Sequence, residues 1–218
     1  MTIKNDKIRI LGKGITALAL KDKFPNATLY DDKDFENYDL QSEELTVVSP
    51  GIPPYNNMVL NSKNVVSDYD LFEDIIPFSI WISGTNGKTT TTQMCQHLLK
   101  EYNSVCGGNI GIPLSHMDEK APIWILETSS FTLHYTNKSK PNIYLLLPIS
   151  EDHITWHGSF KEYQDAKLKP LSLMNENEIA IIPEEFKDIK TNAQVITYKN
   201  SDDLCEYFKI DKSKIKFK

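Results

Sequence analysis

The chain has 218 residues, 40% of them hydrophobic, which is enough for one or two domains with real cores. Its net charge of −6 and lack of a long like-charge run give no support to nucleic-acid binding. The three cysteines, Cys95, Cys106 and Cys205, have no metal-ligand spacing and fit a reducing cytosol. Of the 24 basic residues only Arg9 is an arginine, which reads as genomic codon bias. The segment Met1 to Leu11 lacks the apolar stretch of a signal peptide, and no run reaches the about 18 residues a membrane helix needs. These features predict a cytoplasmic protein with no membrane or nucleic-acid partner.

Short apolar runs alternate with helical patterns, which predicts an α/β protein with parallel sheets. Ile8 to Leu11 reads as a strand, Ile15 to Lys23 as a helix, Ala27 to Asp31 as a second strand. Leu45 to Ser49 and the short Val65-Val66 follow as strands, and Asp68 is a candidate cap for a helix through Ile75. Pro77 marks the expected boundary between a domain at 1–77 and a second at 78–218. The second opens with a strand, Phe78 to Ile82, and a helix, Thr89 to Tyr102, with Met94, Leu98 and Tyr102 on one apolar face. Ile123 to Glu127 and Ile143 to Leu147 read as buried strands. Phe160 to Met174 reads as a helix that Pro170 should end or kink. Glu178 to Ile182 and Val195 to Tyr198 are the last strand candidates, before a lysine-rich tail at 210–218.

Between strand and helix stands Gly84-Thr85-Asn86-Gly87-Lys88-Thr89-Thr90. A strict phosphate loop, G-x-x-x-x-G-K-[ST], would have glycine at position 82, where Ile82 stands; Gly84 takes its place. The physical ingredients survive. Two glycines let backbone N–H groups turn to an anion, and the helix N-terminus adds its dipole. Lys88 can reach the β- and γ-phosphates of ATP, and the Thr89 hydroxyl can ligate Mg²⁺. The plain alternative is an ordinary strand-to-helix turn.

Gly12-Lys13-Gly14-Ile15-Thr16-Ala17 reads G-x-G-x-x-A after a strand, with Asp31 at the end of the next strand. That is a dinucleotide-type fingerprint: pyrophosphate over a helix N-terminus and an acid on a ribose hydroxyl, with the nucleotide unspecified. Ser49-Pro50-Gly51-Ile52-Pro53 closes the third strand at the same carboxyl edge. Glu127 ends a buried strand, where a carboxylate can hold Mg²⁺ or cap the next helix. His153, after Glu151 and Asp152, is a metal ligand or else a helix-capping or surface residue. By composition alone Lys167 is a helix-surface lysine.

Together these segments resemble the Mur ligases. The matching motifs are Gly84 to Thr89, Gly107-Gly108-Asn109-Ile110-Gly111, Glu127-Thr128-Ser129-Ser130-Phe131, Asp152-His153 with His157-Gly158, and Ala166-Lys167-Leu168. The resemblance covers nearly the whole chain and thins after Pro183. It implies a Rossmann-like N-terminal domain that binds UDP, followed by a P-loop ATPase-type central α/β domain, incomplete here, with the third domain absent. Within the family, the short first domain and the Ser49 to Pro53 turn point to the member that joins D-glutamate to UDP-N-acetylmuramoyl-L-alanine.

By that resemblance Gly14, Ile15, Thr16, Asp31 and Asp32 would contact the uridine part, with Ser49 and Gly51 nearby. Asp32 stands where the family leads one to expect Thr or Ser. Asn109 would hold the muramoyl-alanine end. Gly84, Thr85, Asn86, Gly87, Lys88, Thr89 and Thr90 would bind ATP. Thr89 and Glu127 would ligate one Mg²⁺, and His153 with a carbamylated Lys167 would hold a second. The resemblance also implies an acyl-phosphate intermediate and a monomer. No His-Asn pair, expected in the family's adenine contact, occurs here. A truncated piece that binds the UDP-substrate better than ATP and turns over little is the expected behaviour. The competing readings are a sister Mur or folylpolyglutamate-type ligase, an NAD-binding oxidoreductase built on Gly12 and Asp31, and a P-loop NTPase switch. The last two leave motifs unexplained.

Overall fold

The computed structural model describes residues 8–31, 33–211 and 213. Its strands form two sheets, both wholly parallel. The first contains β1 (Ile8–Leu11), β2 (Thr28–Tyr30), β3 (Leu45–Val48) and β4 (Asn64–Val66), in the order β2-β1-β3-β4. Helix α1 (Ile15–Lys23) links β1 to β2. Because β1 lies between β2 and β3, the chain leaves it to opposite sides, and a crevice opens at the carboxyl ends of β1 and β3. Short helices α2 (Asn57–Leu60) and α3 (Asp68–Leu71) complete this part.

The second sheet contains β5 (Phe78–Ser83), β6 (Ser104–Gly108), β7 (Ile123–Glu127), β8 (Ile143–Leu146), β9 (Ile179–Pro183) and β10 (Gln194–Tyr198), in the order β10-β9-β8-β5-β7-β6. Helices α4 (Lys88–Leu98), α5 (Ser130–Tyr135), α6 (Ile154–His157), α7 (Phe160–Leu173) and α8 (Ser201–Tyr207) accompany it. Among the described residues no helix is long and apolar enough to cross a membrane.

One core cluster runs through both sheets. Ile10 and Val47 of the first share it with Trp81, Trp124 and Tyr144 of the second. Tyr69 of α3 joins them, its ring edge-on to Trp81 at 4.8 Å. Burying each such side chain contributes about 1.5–3 kcal/mol, so the two sheets stabilise one another. Polar contacts reinforce the seam. The Tyr135 hydroxyl donates to the Ile52 carbonyl at 2.8 Å. The Asp70 carboxylate accepts from the backbone N–H groups of Asn137, Lys138 and Ser139 at 2.7, 2.8 and 2.9 Å. Arg9 is fully buried between strands. Its guanidinium donates to the Asp39 carbonyl at 2.7 Å and to Thr46 Oγ1 at 3.0 Å, and lies 4.3 Å over the Tyr38 ring.

Four local expectations change. Ser67, not Asp68, caps α3, accepting from the Asp70 N–H, and α3 stops at Leu71. Helix α4 ends at Leu98 and is followed by a 3-10 turn over Lys100–Tyr102, closed by Asn103 in the left-handed region. Its apolar residues Met94, Leu98 and Tyr102 are exposed. The face that packs carries Thr92, which is buried, with Cys95 and Leu99 against Ile80, Ile82 and Ile125. Finally, Pro170 does not end α7, which continues to Leu173. Pro170 and Leu171 are buried there, and that burial offsets the one helical hydrogen bond a proline cannot donate. The tail at 214–218 lies outside the described residues.

Candidate functional site

The phosphate loop leaves β5 at Ser83 and enters α4 at Lys88. Gly84 has φ +140°, and a Cβ there would stand 2.5 Å from Leu147 Cβ. Only glycine fits both the backbone and the space. Gly87, at φ +83°, starts the helix from the left-handed region. Thr85 ties the loop down: its hydroxyl donates to the Ser150 carbonyl at 3.0 Å and accepts from the Ser150 N–H at 2.9 Å. The Tyr163 hydroxyl is a further partner of Thr85 at 3.0 Å. Asn86, Gly87, Thr89 and Thr90 are solvent-exposed on the open side of the loop.

Two lysines converge on this loop. Lys88 Nζ folds back to the carbonyls of Gly84 (3.0 Å) and Thr85 (2.7 Å). Lys167, from α7, also donates to Gly84 O, at 2.8 Å. Lys167 is not the surface residue its composition suggested: it is 1% exposed, with its ammonium 4.8 Å over the Tyr163 ring. Burial, reinforced by the nearby Lys88 charge, pulls its pKa down to about 7. Sequence periodicity missed this because a single lysine on an amphipathic helix is normally solvated.

Glu127 ends β7, 2% exposed. Thr89 Oγ1 donates to its Oε2 at 2.7 Å, and Asn109 Nδ2 to its Oε1 at 2.9 Å. The helix-cap alternative for Glu127 falls away, since Ser129 caps α5. His153 precedes α6 with φ +53°. Its half-exposed ring lies 3.4 Å from Asp152 Oδ2, 4.8 Å from Phe131 and 6.1 Å from Tyr163. His157 is buried, with Nε2 3.0 Å from Ser130 Oγ. Burial, with His134, Lys167 and His153 nearby, lowers its pKa to about 4.

A cavity of about 490 Å³ opens between the two sheets. The first sheet contributes Gly14, Ile15, Thr16 and Asp31, with Ser49 and Gly51 from the second turn. Asn109 contributes from the other sheet. Gly12, at φ +109°, lets the first turn pass close to Ser49, where a Cβ would come within 2.8 Å. Asp31 pairs with Lys13 at 3.2 Å, and that contact raises the lysine's pKa. Asp32 lies outside the described residues. Asp68 and Tyr69 also line the cavity; the sequence offers Asp68 only as a helix cap and does not single out Tyr69. Tyr69 reaches on to the Glu127 carbonyl, at 3.4 Å. Burial raises the Asp68 carboxyl to about 7.

Residues 82–217 match the family model for the Mur ligase middle domain. The chain is 46% identical to the UDP-N-acetylmuramoylalanine–D-glutamate ligase of Campylobacter jejuni strain RM1221, over 97% of this chain and 57% of that protein. It is 42% identical to the enzyme of the same name from Helicobacter pylori strain J99, with the same coverage. The chain thus spans somewhat over half the length of these curated relatives. Among solved structures it is similar in fold to a UDP-N-acetylmuramate:L-alanyl-γ-D-glutamyl-meso-diaminopimelate ligase from Neisseria meningitidis. That match has a TM-score of 0.54 and 12% identity, over 89% of this chain and 78% of that one. A MurF ligase from Thermotoga maritima, solved in complex with ADP, matches with a TM-score of 0.50 and 16% identity, over 87% and 46% of the two chains.

Proposed function

The chain belongs to the Mur ligase family, and from that premise we propose that it supplies the sugar-nucleotide site and the phosphate loop of an ATP-dependent ligase. The proposed ligase joins D-glutamate to UDP-N-acetylmuramoyl-L-alanine in cell-wall precursor synthesis. The observation that carries this reading is the cavity between the sheets, in which Gly14 to Thr16 face Asn109, the same residue that bonds Glu127 beside the phosphate loop. The names of the Campylobacter and Helicobacter relatives favour D-glutamate as the amino acid. We take 1–77 as the UDP-binding domain and 78–218 as the ATP-binding domain, and a cytoplasmic monomer as its state.

In this reading the residues 84–90 hold the triphosphate and Lys88 leaves the Gly84 and Thr85 carbonyls for phosphate oxygens. The substrate carboxylate oxygen attacks the γ-phosphorus, the bond to the ADP oxygen breaks, and an acyl phosphate forms. The amine of D-glutamate then attacks the acyl carbon, losing a proton, and inorganic phosphate leaves. Positioning of three anionic groups is the main task of the protein.

The residues fit a hard cation at the loop. Thr89 and Glu127 present a hydroxyl and a carboxylate in mutual contact, both oxygen ligands. Among the described residues no group of three or more His, Cys, Asp or Glu side chains gathers as a cation site, so phosphate oxygens would complete the shell. A second ion near His153 requires Lys167 to be neutral or modified, because an ammonium there would repel it. Lys167 suits carbamylation: its neutral amine can attack CO2, forming an N–C bond and releasing a proton. Bound Mg²⁺ would supply charge neutralisation between the reacting anions.

The test is phosphate release from ATP by the full-length protein, given UDP-N-acetylmuramoyl-L-alanine and each candidate amino acid in turn. D-glutamate should be strongly preferred; preference for another amino acid would move the assignment to a sister ligase. Titration of this chain with UDP-N-acetylmuramoyl-L-alanine against NAD tests the first site.

A further inference from the structure

The cavity and the phosphate loop meet at one side chain. Asn109 follows β6, is an exposed residue and lines the cavity. A carboxylate only accepts hydrogen bonds, so the amide must turn its NH2 to Glu127 Oε1, leaving Oδ1 directed elsewhere. The other oxygen of Glu127 is held by Thr89. The backbone adds to the link, with Asn109 N donating to Glu127 O at 2.9 Å. Both carboxylate oxygens are therefore fixed, one from the phosphate helix and one from the cavity wall.

We propose that Asn109 is a positioning residue for the cation-binding carboxylate, and that it couples occupancy of the cavity to binding of the metal–nucleotide. This rests on the reading of Thr89 and Glu127 as the cation pair. A carboxylate held by two donors loses little rotational freedom when a cation arrives. Replacing a donor behind a metal ligand typically costs about 10–100-fold in metal affinity. A ligand in the cavity that engages the free Oδ1 through an N–H or O–H immobilises the carboxamide, and with it Glu127. The effect is reciprocal, as any binding linkage must be.

The experiment is titration of the chain with ADP, with and without Mg²⁺, for the parent and for Asn109→Leu. The residue is not among those with positive φ, so leucine is accommodated without backbone strain. The magnesium-dependent gain in ADP affinity should fall about tenfold in the variant, with magnesium-free affinity unchanged. In the parent, UDP-N-acetylmuramoyl-L-alanine should strengthen Mg-ADP binding about fivefold or more, and magnesium-free ADP binding much less. An unchanged magnesium gain in Asn109→Leu overturns the positioning role. So does an equal loss with and without magnesium, which marks a general structural defect. Equal strengthening of both ADP forms, or none, overturns the coupling. A parent chain with no magnesium-dependent gain overturns the assignment of Thr89 and Glu127 itself.

Discussion

Lys167 Nζ donates to the carbonyl of Gly84 at 2.8 Å, so a buried amine from α7 rests on the first residue of the phosphate loop. Its pKa, drawn down to about 7 by burial and by Lys88, places the neutral amine within reach of ordinary pH. Exposure to ¹³C-labelled CO2 should give a carbamate carbon signal that grows between about pH 6 and 8 and is missing in Lys167→Ala. In the full-length protein the same variant should lose most ligase activity, with partial rescue by short carboxylates. Normal activity without Lys167 would sink the carbamate role.

Gly84→Ala must place a Cβ 2.5 Å from that of Leu147 at φ +140°. The backbone strain and the forced shift of β8's end together should cost about 2–4 kcal/mol. Urea unfolding measures this, and nucleotide binding should fail even where the variant remains folded.

Glu127→Gln keeps the shape but gives up the charge. Thr89 and Asn109 both donate to this carboxylate, so the neutral amide also sets donor against donor on one side. Magnesium-dependent ADP binding should drop by about tenfold or more, read by calorimetry; retention of the full magnesium effect would remove Glu127 from the cation site.

His157 gives the stability a pH signature. Its folded pKa, about 4, lies below the ordinary imidazole value, so the unfolded chain binds more protons between roughly pH 6.5 and 4. Stability from this group is intact above that window and is lost as pH falls through it. His134, His153 and Lys167 press in the same direction. Thermal melts from pH 7 to 4 should show a steeper decline for the parent than for His157→Gln. Equal slopes would assign the acid sensitivity elsewhere.

Much of the site is legible in the sequence because its parts are local. A glycine that must turn and a lysine that must follow it sit within a few residues, so the phosphate loop and the Gly12 turn can be read directly. Glu127 is legible for a similar reason, as an acid ending an unbroken apolar run. What escapes is what only the packed sheets bring together. Strand β6, Ser104-Val105-Cys106-Gly107-Gly108, carries a single β-branched residue, and its place beside β7 comes from the sheet. The exposed Met94, Leu98 and Tyr102 mimic a core face, while the true one is written in Thr92, Cys95 and Leu99. Lys167 looks solvated until the phosphate loop and the Tyr163 ring close over it. The Asp70 clamp joins positions nearly seventy residues apart and leaves no periodic trace.

That clamp gives a further prediction. Asp70→Ala leaves three backbone N–H groups without their shared acceptor. The loss should be about 2–3 kcal/mol, seen in urea melts, together with faster amide exchange at 137–139.

The burial of Arg9 turns an oddity of composition into a practical property. The chain has one arginine, and the fold seals it between strands beneath the Tyr38 ring. An arginine-specific protease therefore meets a single cleavable bond, hidden until the first sheet opens. Digestion kinetics would then time the opening of that sheet, with one cut per molecule and no background from the lysines.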